Sequence, residues 1–158
     1  MKLTSPAFRN GEAIPIQYTC DGKDVSPPLV WEDIPKGAQS LALIVDDPDA
    51  PGRTWVHWIF YNLSSSVIKL EDGAGRKGVP VYTHSITGVK AMQGKNDFGD
   101  FGYGGPCPPS GRHRYSFKLY ALDAMLDLPS GSTKAELEKA MKGHILGEPT
   151  QLLGTYER

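Results

Sequence analysis

The sequence predicts a mostly β fold, an antiparallel sandwich or barrel with one clear amphipathic helix near the C-terminus. Three observations carry this. Of 158 residues, 18 are glycine and 13 proline. Together they make about one in five, where average usage would give about one in eight. They are spread as turn punctuation, the pattern of many short strands. The runs between them are rich in β-branched and aromatic residues, which suit a pleated, half-buried surface. Only one segment carries a helical period. No repeat, linker or charge block divides the chain, so residues 1–158 read as a single domain. A chain of this length buries roughly 70% of its unfolded surface and needs no metal or disulfide to hold a core.

In chain order, strands are expected at 13–19, 29–31, 40–45, 55–63, 79–85, 114–122 and 151–156. Pro28, Pro35 and Pro51 fall at or beyond strand ends, where no ladder donor is needed. The helix opens at Thr133, with Glu136 three residues on to complete a capping box. Leu137, Ala140, Met141, His144 and Ile145 then form one apolar stripe, and Gly147 and Pro149 are expected to stop it. Residues 94–111 are too rich in glycine and proline for regular structure, but Phe98, Phe101 and Tyr103 argue that this loop is ordered.

Composition narrows the partners. Seventeen Lys and Arg against 18 Asp and Glu give a net charge of −1, without the basic face that nucleic acid or an anionic membrane requires. The longest aliphatic run, 41–45, is far short of a membrane span. The N-terminus carries no apolar signal segment, so a cytoplasmic location is expected. A cytosol keeps thiols reduced, and whether Cys20 and Cys107 pair is left open.

Three segments concentrate reactive side chains. The first is the DDPDAP run at 46–51, directly after a strand. Alternation places Asp47 on the face of Leu41, Leu43 and Val45, with Asp49 behind a stiffening proline; the ordinary alternative is an exposed acidic turn. The second is the strand around His57, which by parity shares a face with Trp55, Ile59 and Tyr61; a satisfied core histidine is the ordinary alternative. The third is GGPCPPSGRHRY at 104–115, where His113 and Tyr115 share parity with Phe117, Leu119 and Ala121. Glycines at 104 and 105 could present backbone N–H groups to an anion. Loops on a rigid β scaffold are where binding sites are usually found. His57 and His113, 56 positions apart (113 − 57), are therefore expected in one pocket.

These segments together resemble the phosphatidylethanolamine-binding protein family, in its bacterial and archaeal Raf-kinase-inhibitor-like branch. The resemblance rests on DPDAP (47–51), WVHW (55–58) and GPCPPSGRHRYSF (105–117), in order and spacing. It is supported by YTCDGKDVSPPLVW (18–31), NDFG (96–99) and GYGG (102–105). It implies a Greek-key antiparallel β-sandwich with peripheral helices and a small anion pocket at one end. Its lining would be Asp47, Asp49, Trp55, His57, Gly105, Pro106, His113 and Tyr115. The imidazoles and the N–H groups near Gly105 would donate to a phosphate or carboxylate. Asp47 and Asp49 would compensate an amine or orient the imidazoles. It also implies a cis bond at Ala50–Pro51 and a second at Arg53–Thr54.

The expected function is non-catalytic binding of a small anionic or zwitterionic ligand, phosphate or a phosphoethanolamine-like head group. Modulation of a partner protein and a homodimer are left open, and no cofactor is called for. The competing readings are an Asp/His-dependent hydrolase acting on a phosphate or ester, and a protease or kinase inhibitor. A metal held by His57, His113 and an aspartate is weaker, because the spacing matches no common zinc motif.

Overall fold

Antiparallel pairing organises the chain into two sheets. The computed structural model describes residues 1–158. Its elements are β1 (Lys2–Thr4), β2 (Leu29–Glu32), β3 (Ser40–Asp47), β4 (Trp55–Ser64), β5 (Lys69–Leu70), β6 (Val81–Thr83), β7 (Lys90–Gln93), β8 (Arg112–Leu122), α1 (Lys134–Met141) and β9 (Ile145–Glu157). One sheet runs β1-β2-β5 and the other β6-β7-β4-β3-β8-β9. The placement of β7 beside β4 and of β8 beside β3 needs the long returns of a Greek key.

The sheets close on a core of 22 buried residues, among them Trp31, Leu43, Trp58, Phe60 and Phe117. The other face of the six-stranded sheet is covered by α1. A second cluster of 9 residues there includes Ile44, Ile59, Tyr61, Leu137 and Met141. Burying both faces explains why β3 and β4 read as continuous apolar runs rather than alternating ones.

Several expectations need correction. Residues 13–19 form no strand: Ala13 makes one parallel bridge to Thr155, and a single 3-10 turn covers Ile16–Tyr18. Pro15 precedes that turn at φ −57°, a dihedral suited to entering a helix and unable to donate to a ladder. Strands β1, β5 and β7 span only 3, 2 and 4 residues, too few to show a period.

The helix starts as expected, with the capping box of Thr133 and Glu136 formed, but it ends at Met141. Gly143 turns the chain at φ +84°, and Ile145 begins β9 instead of extending the apolar stripe. Gly147 and Pro149 lie inside that strand. Leu119 pairs with Thr150 and Ala121 with Leu146, so residues 147–149 bulge opposite Tyr120 and Pro149 has no ladder bond to make.

The first acidic loop contains no cis bond at Ala50–Pro51 or Arg53–Thr54, since every peptide is trans. Gly52 at φ +80° supplies the tight turn instead.

Candidate ligand-binding pocket

The β3 strand carries its last two residues, Asp46 and Asp47, to opposite faces. Asp47 ends the core face and is buried. Its Oδ2 lies 2.6 Å from His113 Nδ1, and its Oδ1 accepts the Asp49 N–H at 2.8 Å. His113 and Tyr115 stand near the start of β8, on the face of Phe117 and Leu119 as parity requires.

His57 arrives by a different route. Val45 pairs with Trp58 but Asp46 with Val56, so His57 is the extra residue of a β-bulge. Unbroken alternation would put it with Ile59 and Tyr61, on the face under α1. The bulge turns it to the core side, where its ring packs edge-on against Tyr115 at 5.2 Å and Phe98 at 5.3 Å. The expected parity of His57 was therefore wrong for Ile59 and Tyr61. Bulges re-aim side chains in this way.

Asp47, Trp55, His57, His113 and Tyr115 line one cavity of about 240 Å³. That is below the range of drug-sized sites, which begins at about 300 Å³, and suits a small head group. Ala50, Pro51, Phe98, Cys107, Pro108 and Pro109 complete the wall. Sequence reasoning did not place these six in the site. Their signal was present in the two proline-rich loops and in an aromatic inside NDFG.

Asp49, Gly105 and Pro106 stand outside the cavity. The Asp49 carboxylate accepts three bonds from Arg114: its N–H at 2.9 Å, Nε at 2.8 Å and Nη2 at 2.7 Å. Chiefly through that side-chain bonding, its pKa is lowered to about 2. The Gly105 N–H, expected to meet a ligand, donates to Asp24 Oδ1 at 2.7 Å, and the Pro106 carbonyl accepts the Cys20 N–H at 3.1 Å. A Cβ on Gly105 would lie 2.4 Å from the Tyr18 carbonyl oxygen, so only glycine permits this contact.

Cys20 and Cys107 are joined in a disulfide, a pairing that the sequence left open. The pairing fixes the loop wall to the segment that also holds Gly105 and Pro106. It also removes the thiol argument for a cytoplasmic location, since disulfides persist mainly in oxidising compartments. No helix is long and apolar enough to cross a membrane.

The hydrogen bonds fix which ring atoms remain available. His57 Nδ1 lies 2.6 Å from the Gly104 carbonyl oxygen, which can only accept, so Nδ1 carries the proton. Burial lowers the His57 pKa from its usual value, and the neutral ring keeps a lone pair on Nε2. His113 Nδ1 likewise donates to Asp47, leaving Nε2 free. The Tyr115 hydroxyl is buried and bonded to nothing in the chain. Burial, and then the Asp47 charge, raise its pKa above the ordinary value for a phenol, so it remains a neutral donor. No three His, Cys, Asp or Glu side chains gather as a group that could hold a metal ion.

The profile of a family described as phosphatidylethanolamine-binding protein matches residues 4–157. A UPF0098 protein of Methanothermobacter thermautotrophicus is 49% identical, spanning 100% of this chain and 99% of its own length. Another, from Aquifex aeolicus, is 47% identical over 100% of this chain and 89% of its own. Among solved structures, the phosphatidylethanolamine-binding protein homolog CT736 from Chlamydia trachomatis superposes with a TM-score of 0.86 at 45% identity, covering 99% of this chain and 97% of the other. YbcL of E. coli, titled a new member of the mammalian family, gives 0.88 at 35% identity, with 99% and 98% covered. The chain belongs to the phosphatidylethanolamine-binding protein family.

Proposed function

We propose that this protein binds a small phosphate-bearing ligand through the cavity floor and does not transform it. One observation carries the reading: the Tyr115 hydroxyl, 1% exposed as a residue, has no partner in the chain. An unbonded buried hydroxyl is costly unless a ligand or water meets it. The Tyr115 side chain lines the same cavity as two imidazoles whose Nδ1 atoms are engaged. A phosphoryl group offers acceptors to Tyr115 and to protonated Nε2 atoms, and its own P–OH can donate to an unprotonated one.

The groups that could attack a substrate are poorly suited to it. Cys107 is oxidised, and the Tyr115 phenol is held in its neutral form. The Asp47–His113 pair is the one feature that favours hydrolysis, because a carboxylate-oriented imidazole can act as a general base. Calorimetry with inorganic phosphate and Tyr115→Phe tests the binding reading. Loss of the hydroxyl should weaken phosphate binding about tenfold, in line with a charge-assisted bond, and leave stability unchanged or slightly raised. Equal affinity in the two proteins would refute the assignment. Steady release of phosphate from phosphoethanolamine, abolished by His113→Ala, would make the pocket an active site.

A further inference from the structure

The buried floor of the cavity is polar, whereas its rim is apolar and the charges around it are already paired. Phe98 is 45% exposed and stands edge-on to the half-buried Trp55 at 5.6 Å. Pro51 and Pro109 complete the exposed wall. The Phe98 loop is built to hold its ring in place: Asn96 Oδ1 accepts the N–H groups of Phe98 and Asp100 at 2.9 and 3.1 Å, and Asp97 Oδ2 accepts the Val56 N–H at 2.7 Å. A Cβ on Gly104 would lie 2.6 Å from the Phe98 ring, so the glycine is what lets that ring settle over His57.

The carboxylates around this rim are all taken. Asp47 bonds His113 and the Asp49 N–H, Asp49 bonds Arg114 three times, and Asp97 pairs with Arg53 at 2.7 Å. The Arg53 guanidinium also lies 5.3 Å from the centre of the Trp55 ring. An ammonium entering with the phosphate would therefore find carboxylates already paired and a tryptophan face already occupied by a guanidinium. A flat apolar group would find aromatic edges and proline rings.

Resting on the floor as a phosphate site, we propose that the pocket selects aryl phosphate monoesters over those of amino alcohols. The phosphoryl group sits on Tyr115, His57 and His113, and the aryl ring packs against Phe98 and Trp55. This sets the site apart from one that recognises a phosphoethanolamine head group through its amine.

Calorimetric titration with inorganic phosphate, ethyl phosphate, phosphoethanolamine and phenyl phosphate separates the two layers of the argument. Phenyl phosphate should bind about tenfold tighter than phosphoethanolamine, given the worth of aromatic pairing. Ethyl phosphate, which differs only by lacking the ammonium, should bind at least as tightly as phosphoethanolamine. Phe98→Ala should reduce the advantage of phenyl over ethyl phosphate to about twofold or less. Phosphoethanolamine binding as tightly as phenyl phosphate, or more tightly than ethyl phosphate, overturns the selectivity, as does an undiminished phenyl advantage in Phe98→Ala. Inorganic phosphate would still bind in those cases. Failure of inorganic phosphate and all three esters to bind removes the floor reading itself, and the selectivity with it.

Discussion

Asp46 and Asp47 are neighbours on one strand, 2% and 3% exposed, and each is paired with a basic side chain. Their surroundings differ. Asp46 faces α1 and accepts Lys134 Nζ at 2.9 Å. Partial burial is the largest single influence on the Lys134 ammonium and pulls its pKa down, but the bond to Asp46 together with the charges of Asp46 and Glu138 raises it overall. Asp47 faces the cavity end of the sandwich and holds His113, whose second nitrogen remains for a ligand. Depth of burial does not separate the two carboxylates. The difference lies in whether the partner keeps a polar atom directed into a cavity, beside other groups left incomplete such as the Tyr115 hydroxyl. The helix side has one incomplete group of its own, Ser116 Oγ, whose residue pairs with Asp46; the pocket side differs in that its residues line a cavity.

That contrast can be attacked from either side. The largest effect should come from the tether behind the pocket wall. Cys20 and Cys107 close a loop of 87 positions, for which the chain-entropy argument gives about 4 kcal/mol. Paired replacement of both by serine should cost about that much in denaturant unfolding and loosen the loop that holds His57 through Gly104. A loss under about 1 kcal/mol would mean the loop is held by its backbone bonds alone.

Asp46→Ala should destabilise by about 3 kcal/mol, the low end for breaking a buried pair because Lys134 can turn toward water. Phosphate affinity should not change. A binding defect equal to that of a cavity variant would dissolve the distinction between the faces.

Thr133→Ala removes the cap of α1 and should cost about 1 kcal/mol, again without effect on binding. The three losses can be measured in parallel urea titrations. A helix-side variant that fails to bind phosphate while remaining folded contradicts the account.

The fold was legible where patterns are long. Strands β3, β4 and β8 carry enough apolar and β-branched residues to be seen, and the Thr133–Glu136 box marks the start of α1. The rest depended on pairing. Two-residue β5 has no pattern to read, and β9 contains a glycine and a proline that read locally as a stop, because its bulge is defined only opposite Tyr120. In the site, Asp47, His113 and Tyr115 followed from alternation on strands without a break between them and the core. His57 reached the cavity through a register shift that no single-strand parity can reveal. Gly105 was read as a donor to ligand because its partner, Asp24, is 81 positions away. The pairing of Cys20 with Cys107 stayed open for the same reason, since composition suggests a compartment but not a contact.

The central claim is that the pocket binds an anion only with a proton between each Nε2 and a phosphoryl oxygen, supplied by the ring or by the phosphate's own P–OH. In the free protein, His57 is neutral through burial and Nε2 of each imidazole is a lone pair while the ring is uncharged. A fully ionised phosphate would meet these lone pairs with no hydrogen between them. Binding therefore takes up protons, and affinity must fall as pH rises, by up to about tenfold per unit for each proton gained. The decisive measurement is calorimetric titration of inorganic phosphate into the wild type and His113→Ala at pH 6 and pH 8. The account predicts tighter binding at pH 6. It also predicts a loss of about tenfold to a hundredfold at that pH on removing His113. Equal affinities at both pH values in both proteins would contradict it.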